Sequence, residues 1–546
     1  MSFTIIFNGE KKSFEKPVSV LEIVGNNRDY VCAYVNNRVR ELTYIMDQDS
    51  TVVPLTCKDR DAKPTYEASL RFIVAMAMKN IWPNADIRFS YNVSRSIFMQ
   101  ILTPGYVINL QLVKDLEKEI QRIVDADFPL VRTIVSKEEA KKVLESEGFK
   151  DKVDIIQYRP EKTCHLYDCN GYKNYMYNRM VPSTGYIKKW RLKYYHPGVV
   201  IQYPRIEMNG EIPPFEESPT FGRTLKRAHE WAVATRFDSI VNINKRIEED
   251  GPIDVITLGE QRHNRQLCEL GDLIESNKGD IRLICIAGPS SSGKTTFANR
   301  LRIELLSRGI DPIRISMDDY YLPRSQAPKD ENGEPDLEAV DALDVDLFNE
   351  NMAALISGEE VDLPKFDFKL GHRVKGRTLR VPNDQPIIIE GIHALNDRMT
   401  ESIPQHQKFK IFIAPQAQIN IDNHNPLSLT DLRLIRRIVR DYQFRGASAI
   451  ETLSMWASVR NGEFKWIYRT QEGANYVFNS FLPEELSVMK KYAMPLLQAI
   501  ETENPYFPVA ERLIRMLKFF KDMPDEWVPC NSILREFIGG SCYADV

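Results

Sequence analysis

Gly288-Pro-Ser-Ser-Ser-Gly-Lys-Thr295 is the stretch that decides the fold class of this chain, because it has the spacing G-x-x-x-x-G-K-[ST]. The apolar run 283–287 before it predicts a buried strand, and the apolar spacing over 296–306 after it predicts a helix. A loop between such elements binds phosphate, because its backbone N–H groups and the helix N-terminus point at the anion. We therefore predict a nucleotide site here.

Two side chains at the end of this loop bring the chemistry. Lys294 supplies a cation to the outer phosphates of a nucleotide, and the Thr295 hydroxyl suits Mg²⁺. ATP and Mg²⁺ are therefore the expected ligands. The residues predicted to bind ATP are Gly288, Ser290, Ser291, Ser292, Gly293, Lys294, Thr295 and Thr296.

Length and charge narrow the class of protein. The 546 residues exceed what a single core organises, so several domains are expected. The net charge of −4 excludes a polycation that binds nucleic acid through its overall charge. The sequence has no apolar run of membrane-spanning length and no signal-peptide pattern, so we expect a cytoplasmic protein without membrane contact.

The front of the chain predicts two domains. Residues 1–60 alternate like short strands, with Asn8-Gly9 as a hairpin turn, and favour a small β-grasp domain. Residues 61–225 mix strands and helices, beginning with a strong helix over 65–82, which indicates an α+β domain.

The back of the chain predicts an α/β domain between two helical segments. Residues 226–278 form a helical connector, and residues 481–546 form a helical C-terminal extension. Between them, residues 279–480 alternate strands and helices, which is typical of a parallel sheet flanked by helices. The predicted strands of that sheet are 283–287, 312–316, 386–390 and 409–414.

Two acids end strands of this sheet and are candidates for catalysis and metal binding. Asp318 follows the second strand, at the edge where open α/β sheets bind ligands, and could accept a proton from a substrate hydroxyl. Glu390 ends the buried strand 386–390, at the Walker B position that helps to hold Mg²⁺. A turn or capping role is the alternative for each.

An arginine-rich helix is predicted over 431–441. Arg433, Arg436, Arg437 and Arg440 recur at spacings of three and four and so share one face, with Arg445 following. A solvated basic face is one interpretation. Beside a phosphate-binding loop we favour another, in which guanidinium groups clamp the transferring phosphate.

Two further segments have the composition of an acceptor-binding region. The acids within 335–344, among them Glu338, suit ribose hydroxyls, and Phe366 with Phe368 suits stacking on a base. Packing roles for the two phenylalanines are equally open, since aromatic residues are usually core.

The ordered motifs of residues 279–480 resemble the uridine kinase branch of the uridine kinase/phosphoribulokinase family. Besides the loop and the arginine-rich helix, they are Ser-x-Asp-x-Tyr-Tyr at 316–321, Glu-Ala-Val-Asp-Ala-Leu-Asp at 338–344, Pro-x-Phe-Asp-Phe at 364–368 and Glu-Gly-Ile-His at 390–393. The resemblance implies a nucleoside kinase that transfers the γ-phosphate of ATP, with Mg²⁺, to the 5′-hydroxyl of uridine or cytidine.

The same resemblance implies roles for individual residues. Asp318 is the catalytic base, Lys294 and Arg436 stabilise the transferring phosphate, and Thr295 with Glu390 serves Mg²⁺. The residues on the acceptor side are Tyr321, Glu338, Phe366, Asp367, His372, Arg433 and Arg440.

Two departures from the family pattern leave the acceptor open. Phe366 stands where uridine kinases tend to have a tyrosine that contacts the base, and His372 is displaced by one residue. A kinase of another small alcohol, such as a sugar phosphate or a pantothenate-like acceptor, is therefore the alternative. From a different class, an RNA- or ribosome-associated ATP-binding regulator is a further alternative.

The front of the chain has a resemblance of its own. Residues 1–60 resemble a TGS domain, and 61 to about 225 resemble the second N-terminal domain of threonyl-tRNA synthetases, through Lys79-Asn-Ile-Trp-Pro83 and Val181-Pro-Ser-Thr-Gly-Tyr-Ile187. Aligned on these motifs, Ala68, Phe72 and Met180 stand at three histidine positions of the editing site, and Cys169 falls near its cysteine.

The loss of those polar groups predicts that the front half is not catalytic. A regulatory or RNA-sensing module and an inert scaffold are both open as its role. The C-terminal segment resembles the tail of bacterial proteins that join the same modules. It is expected to pack on the kinase core or on a second subunit, as in a homo-oligomer.

Overall fold

The computed structural model describes residues 2–329, 333, 335–367 and 370–544. Its first region has the elements β1 Phe3–Phe7, β2 Glu10–Phe14, β3 Val18–Ser19, α1 Val20–Val24, β4 Tyr30–Val35, β5 Arg38–Arg40, β6 Ile45–Met46 and β7 Ser50–Thr56. Five strands form a mixed sheet in the order β2-β1-β7-β4-β5, with β1 and β7 parallel. Ser19 begins α1 with a capping box to Glu22. Assignment to the β-grasp fold stays a prediction.

The second region is built around a buried helix and two antiparallel sheets. Its elements are α2 Lys63–Ile81, β8 Ile87–Val93, β9 Ser96–Ile101, α3 Leu110–Asp125, β10 Val131–Ser136, α4 Lys137–Ser146, α5 Lys150–Gln157, β11 Thr163–Cys169, β12 Tyr172–Asn174, β13 Arg191–Tyr195 and β14 Gly198–Gln202. The sheet orders are β13-β14-β9-β8 and β10-β11-β12. One apolar core runs without interruption from Phe3 to Tyr203, so both front regions share it.

Three helices connect the front of the chain to the back. They are α6 Pro219–Ala234, α7 Ile240–Glu249 and α8 Pro252–Glu275, and the break between the last two lies at Asp250-Gly-Pro252. Within the described ranges, neither α8 nor any shorter helix has the length and apolar character that crossing a bilayer requires.

The back of the chain contains a five-stranded parallel sheet in the order β16-β19-β15-β20-β23. Its strands are β15 Leu283–Ala287, β16 Ile313–Ser316, β19 Ile387–Glu390, β20 Lys408–Ala414 and β23 Tyr476–Asn479. The predicted α/β domain with a parallel sheet is confirmed, and β23 is a strand that the sequence did not predict.

Helices, hairpins and the C-terminal tail surround this sheet. They are α9 Lys294–Leu306, α10 Val345–Ile356, β17 Glu360–Asp367, β18 His372–Arg380, β21 Asn420–Asp422, β22 Asn425–Pro426, α11 Leu429–Phe444, α12 Ala449–Gly462, α13 Glu485–Gln498, α14 Phe507–Leu517 and α15 Arg535–Ile538.

Alternate residues of each central strand enter different cores. Ile284 and Ile286 of β15 belong to a large core that also contains residues of α8, α9, α11 and the tail. Leu283 and Cys285 belong to a smaller core on the opposite face, with Phe348 of α10. Because both faces of the sheet are buried, the sequences of these strands are continuous apolar runs. The tail therefore packs on the kinase core.

The hairpin β21–β22 joins the kinase region to the front half. Asp422 at the end of β21 accepts from Lys152 Nζ of α5 at 2.6 Å, and both side chains are fully buried. Asn420 Nδ2 donates to the Phe89 carbonyl at 2.7 Å, and the Phe89 N–H donates to the Asn423 carbonyl at 2.8 Å. Because α11 begins just after this hairpin, the front half is physically connected to the arginine-rich helix.

Candidate active site

The phosphate-binding loop has a backbone that only certain residues allow. Gly293 has φ +89° and Ser291 has φ +60°, both in the left-handed region. At Gly288 a Cβ would lie 2.1 Å from the Ile413 carbonyl oxygen of β20, so a side chain is excluded. The loop thus lies tightly against the sheet, with its backbone at the start of α9.

Three buried hydroxyls of the loop lack partners. Ser291 Oγ, Ser292 Oγ and Thr296 Oγ1 have no hydrogen-bond partner in the described part of the chain. Burying an unpaired hydroxyl costs free energy, and buried polar groups in native proteins are normally satisfied. Hydroxyl donors beside a helix N-terminus fit an anion with several oxygens. The loop as folded is therefore suited to phosphate.

Lys294 lies at the start of α9. Its Nζ donates to the carbonyls of Gly288 at 3.0 Å and Pro289 at 3.3 Å. Burial lowers the pKa of Lys294, while the carboxylates of Glu390 and Asp318 favour its charged form. The ammonium therefore lies between the loop and the two acids predicted for catalysis and metal binding.

Both predicted acids lie at the carboxyl edge of the sheet. Asp318 follows β16 in a short turn, where its N–H donates to Ser316 Oγ at 3.3 Å. Glu390 ends β19, the neighbouring strand, and is buried. Burial and the nearby Asp318 charge raise the pKa of Glu390 to about 7. Burial also raises the pKa of Asp318, against the opposing charge of Lys294.

Thr295 and Glu390 fit Mg²⁺ in the way that nucleotide kinases require. Among residues 2–329, 333, 335–367 and 370–544, no three His, Cys, Asp or Glu side chains form a metal-binding cluster. Mg²⁺ at nucleotide sites takes one or two protein oxygens and fills its other positions with phosphate and water. A threonine hydroxyl in the loop and a buried carboxylate beside it meet that requirement.

Glu338 is an acceptor-side acid on which the charges of Lys294 and Asp318 act. One of its carboxylate oxygens, Oε2, is buried without a partner in the described residues. Burial and the Glu463 carboxylate raise the pKa of Glu338 to about 7, and the charges of Arg437 and Lys294 oppose the rise. Its backbone carbonyl is bonded to His393 Nε2 at 2.9 Å, which fixes the segment beside β19.

The predicted aromatic residues form an edge of the same region. Tyr321 and Phe366 meet edge to face, with ring centroids 5.9 Å apart. Asp319 fixes β17 there, because its carboxylate accepts from the Phe366 N–H at 3.2 Å. Phe368 lies outside the described residues. Phe366 is therefore half-buried beside the acceptor side, with its ring against Tyr321.

Asp367 and His372 lie at the tip of the hairpin β17–β18. Asp367 Oδ1 accepts from the Leu370 N–H at 3.0 Å, which stabilises the turn. His372 is exposed, with Nδ1 3.3 Å from the Leu370 carbonyl. Both side chains contact Leu370 in the turn of the hairpin.

The arginines of α11 hold the phosphate-binding loop from its carbonyl side. Arg433 donates to the Ser290 carbonyl from Nε at 3.2 Å and from Nη2 at 3.0 Å. Arg436 Nη1 donates to the Ser291 carbonyl at 3.4 Å, and Arg437 Nη1 donates to Ser290 Oγ at 2.9 Å. Through these contacts α11 holds the loop at the carbonyls of Ser290 and Ser291 and at the Ser290 hydroxyl.

Buried acids account for this arrangement. Glu463, in a π-helical turn after α12, pairs with Arg433 and with Arg460. Glu485, at the start of α13, pairs with Arg436, which is 1% exposed. Arg436, predicted to contact the transferring phosphate, is therefore committed to Glu485 and the loop backbone.

Two later arginines, Arg440 and Arg445, act on Asp318 through their charge. The charges of Arg445 and Arg440 both act on Asp318 and oppose the rise in its pKa. Arg440 donates to Asp441 at 2.9 and 2.7 Å, and its charge is the main cause that lowers the pKa of Arg445 to about 10. Arg433, Arg436 and Arg437 thus hold the loop, whereas Arg440 and Arg445 influence Asp318 electrostatically.

Sequence reasoning missed the acids that organise the site. Glu463 and Glu485 lie in helical segments whose composition gives no sign of a partner on α11. Glu536, in α15, accepts from the Thr296 N–H at 3.0 Å. No spacing rule connects residues so far apart in the chain, and only the folded packing brings them together.

The residues predicted to stand at the histidine positions of the synthetase editing site lie in an apolar core. Ala68 and Phe72 of α2 are fully buried, and Met180 is nearly so. The Phe72 ring contacts Tyr172 edge to face, with centroids 5.1 Å apart. Burial raises the pKa of the Cys169 thiol to about 11, which disfavours a thiolate.

The sheet, the loop and the acids at its edge define an α/β kinase of the P-loop class. Comparison with known proteins agrees: the model of the Phosphoribulokinase / Uridine kinase family matches residues 283–487. A uridine kinase of Halalkalibacterium halodurans is 30% identical over 177 residues, which are 32% of this chain and 75% of that protein. The chain belongs to the phosphoribulokinase/uridine kinase family.

The N-terminal region is similar to a different class of protein. A threonine–tRNA ligase of Acinetobacter baumannii is 26% identical over 191 residues, which are 34% of this chain and only 30% of the ligase.

Among solved structures, that of a possible uridine kinase from Bacillus stearothermophilus matches 27% of this chain and 79% of its own chain, at 24% identity and a TM-score of 0.24.

Proposed function

We propose that this protein transfers the γ-phosphoryl group of ATP to a hydroxyl of a small molecule, with a nucleoside 5′-hydroxyl as the favoured acceptor. The observation that supports it most is the meeting of Lys294, Asp318 and Glu390 beside a loop with unpaired hydroxyls. The uridine kinase of Halalkalibacterium halodurans supports the nucleoside as acceptor.

In this proposal the loop binds and orients the phosphates of ATP. The unpaired hydroxyls of Ser291, Ser292 and Thr296 donate to phosphate oxygens, as do the backbone N–H groups at the start of α9. Lys294 leaves the carbonyls of Gly288 and Pro289 for the outer phosphates, where its positive charge offsets theirs. Thr295 and Glu390 would hold Mg²⁺, which would supply positive charge to offset that of the phosphates.

Asp318 takes the proton of the acceptor hydroxyl. Its raised pKa makes it a stronger base than a solvent-exposed aspartate, while the charges of Lys294, Arg445 and Arg440 keep it ionised. As the acceptor oxygen bonds to the γ-phosphorus, the bond from that phosphorus to the bridging oxygen of ADP breaks. The proton of the hydroxyl ends on the Asp318 carboxylate.

Among the arginines we assign phosphate stabilisation to Arg440 and Arg445. Their charges reach Asp318, whereas the guanidinium of Arg436 is buried against Glu485. Arg433, Arg436 and Arg437 are positioning residues in this proposal, because the first two hold carbonyls of the loop and the third holds the Ser290 hydroxyl. A preorganised loop does not have to reorganise when charge develops on the phosphate.

The acceptor is proposed to bind between Glu338 and the pair formed by Tyr321 and Phe366. The buried, unpartnered Oε2 of Glu338 suits a hydroxyl donor such as those of ribose. The edge-to-face pair offers an apolar edge for a base. Asp367 and His372 take part only if the hairpin tip moves toward the loop.

For the front half we propose a role without catalysis. The buried side chains Ala68, Phe72 and Met180 offer no base and no metal ligand. Its connection to α11 through Asp422 favours a module that influences the kinase region over an inert scaffold. Contact of this half with RNA stays a proposal that the charge distribution does not favour.

The test is ATP consumption with Mg²⁺ and a panel of acceptors: uridine, cytidine, other nucleosides, sugar phosphates and pantothenate. With the best acceptor, Asp318→Asn is expected to lower kcat by about 10²–10⁴-fold, because the general base is lost. Its affinity for ATP should stay within about twofold, since Asp318 does not form the loop. The exposed Asp384 provides the matched control, and Asp384→Asn should behave as the parent.

Unchanged turnover of Asp318→Asn would exclude Asp318 as the base. Turnover with a sugar phosphate or pantothenate alone would keep the mechanism and replace the nucleoside as acceptor. ATP binding without turnover on any acceptor would support the ATP-binding regulator.

A further inference from the structure

The C-terminal segment 532–540 lies directly on the phosphate-binding loop. A Cβ at Gly293 would lie 2.4 Å from Ile533 Cγ2, so the Ile533 side chain touches the loop backbone. Ile533 is fully buried, and the Phe537 ring lies 5.0 Å from the Arg436 guanidinium. The segment is therefore packed on the loop and on α11 together.

One side chain of this segment reaches the backbone donors of the loop. Glu536 Oε2 accepts from the Thr296 N–H at 3.0 Å. Thr296 is the third residue of α9, and the first N–H of this helix with a partner inside it is that of Phe297, which donates to the Gly293 carbonyl at 3.0 Å. The Thr296 N–H is thus one of the free amides that a helix N-terminus offers to an anion.

The negative charge of Glu536 also acts on the rest of the site. It helps to hold up the pKa of Lys294, which burial lowers, and it adds to the rise in the pKa of Glu390. The carboxylate therefore lies within electrostatic reach of both the cation for the outer phosphates and the acid for Mg²⁺. A phosphate group bound at the loop would experience the same neighbours.

The segment is anchored on its far side. Arg535 donates from Nη2 to the carbonyls of Asp525 and Val528, at 2.7 Å each. Gly539 and Gly540 follow α15 with φ +86° and +76°, in the region that favours glycine. These contacts hold the backbone of α15 in place, while the Glu536 side chain is half-buried and has rotatable bonds that let it turn away from Thr296.

We propose that segment 532–540 is an autoinhibitory plug, in which the Glu536 carboxylate occupies the Thr296 amide that a nucleotide phosphate requires. It rests on the proposed function, since it presupposes that the loop binds ATP. ATP must then displace the carboxylate, and the apparent Kd is weakened by the fraction of molecules in which the plug is in place. Any partner that holds Glu536 away would activate the enzyme.

The experiment measures binding of ATP with Mg²⁺ and of tripolyphosphate by calorimetry, on the full chain. Glu536→Gln keeps the size of the side chain and removes the charge, so it is expected to bind both probes about 5- to 30-fold more tightly than the parent. The gain should be the same for both probes, because the competition concerns phosphate and not the base. Glu526→Gln, an exposed acid of the same tail, is the matched control and should bind as the parent does.

Glu536→Ala provides a second variant with the same expectation, in case the glutamine keeps a neutral hydrogen bond to Thr296. Equal Kd values for the parent and both variants would overturn the plug and leave the proposed function standing. Weaker binding by both variants would overturn it as well and would make Glu536 a residue that supports nucleotide binding. If no form binds ATP or tripolyphosphate, the proposed function is wrong and the plug falls with it.

Discussion

The phosphate-binding loop and the face of α2 that we predict to correspond to the synthetase editing site differ in how they accommodate buried polar groups. At the loop, three buried hydroxyls lack partners within the described residues, and two acids have raised pKa values. At α2, Ala68 and Phe72 fill the corresponding space with apolar atoms, and Phe72 contacts Tyr172. The unpaired polar groups of the loop lower the stability of the fold, and a bound ligand can restore it. The apolar side chains of α2 instead stabilise the fold.

The difference suggests how to tell a retained site from a lost one. Polar groups that are buried without partners are expensive, and they persist where a ligand satisfies them. A site that has lost its ligand is free to fill with apolar side chains, each of which stabilises the fold through burial. On this criterion the unpaired hydroxyls mark the loop as a candidate ligand site, whereas the apolar face of α2 has no such mark.

The largest effect is expected from Phe72→Ala, which removes a fully buried ring from the shared front core. Such truncations cost about 3–5 kcal/mol, because they lose burial and leave a cavity. The free energy of unfolding of the front half should fall by that amount in a denaturant titration. At a temperature where the variant stays folded, kcat of the kinase should stay within about twofold of the parent, since no catalytic group is touched.

Leu110→Ala is the control for Phe72→Ala, because Leu110 is 64% exposed and should cost little. A tolerated Phe72→Ala would mean that the α2 face is not a packed core and would remove the contrast with the loop.

A smaller effect is expected from Glu390→Gln, and it depends on pH. The pKa of Glu390 is raised from an ordinary value to about 7, because the folded protein favours the neutral carboxyl. The contribution of this carboxyl to the free energy of unfolding is therefore present at low pH and is lost as pH rises through 7. The glutamine variant does not ionise. Without nucleotide and Mg²⁺, its advantage in unfolding free energy over the parent should grow by about 2–3 kcal/mol between pH 5 and pH 8.

The exposed Glu359 supplies the control, and the difference between Glu359→Gln and the parent should not change with pH. If the free energies of unfolding of Glu390→Gln and of the parent changed with pH in parallel, Glu390 would ionise as it does in water. In that case the loop region would not carry the destabilised charge on which the comparison with α2 depends.

Much of the kinase region could be predicted from the sequence, because its signals are local. The strand 283–287, the loop and the helix after it lie in one short stretch, and the structure has the strand at Leu283–Ala287 and the helix at Lys294–Leu306. Asp318 and Glu390 could be placed at one edge because parallel strands end together. The strand Tyr476–Asn479 escaped prediction, since four residues before a helical tail carry a weak pattern.

The functions of the arginines could not be predicted in detail. Helical spacing placed Arg436 and Arg440 on one face, but it did not show that Arg436 pairs with a distant acid while Arg440 pairs with its neighbour Asp441. Glu485 holds Arg436, whereas the charge of Arg440 acts on Asp318. Glu536 reaches Thr296 from 240 positions away, and no pattern within one element encodes such a contact.

The smallest and most discriminating effect is expected from Thr296→Val, which replaces an unpaired buried hydroxyl by a methyl of similar size. Without ligand, the variant should be more stable than the parent by about 1 kcal/mol, because no buried donor is left unsatisfied. With ATP it should bind about 10-fold more weakly, since one hydrogen bond to a charged phosphate is lost. Calorimetric unfolding and ATP titration measure the two effects on one sample.

Thr400→Val is a matched control, because the Thr400 hydroxyl is also buried without a partner in the described residues but lies in the turn Asp397–Thr400, after β19. It should gain stability in the same way and leave ATP binding unchanged. If both variants change ATP binding equally, the unpaired hydroxyls of the loop have no special role. We expect both variants to gain stability and only Thr296→Val to lose affinity for ATP. That result would distinguish a buried hydroxyl that binds a ligand from one that does not.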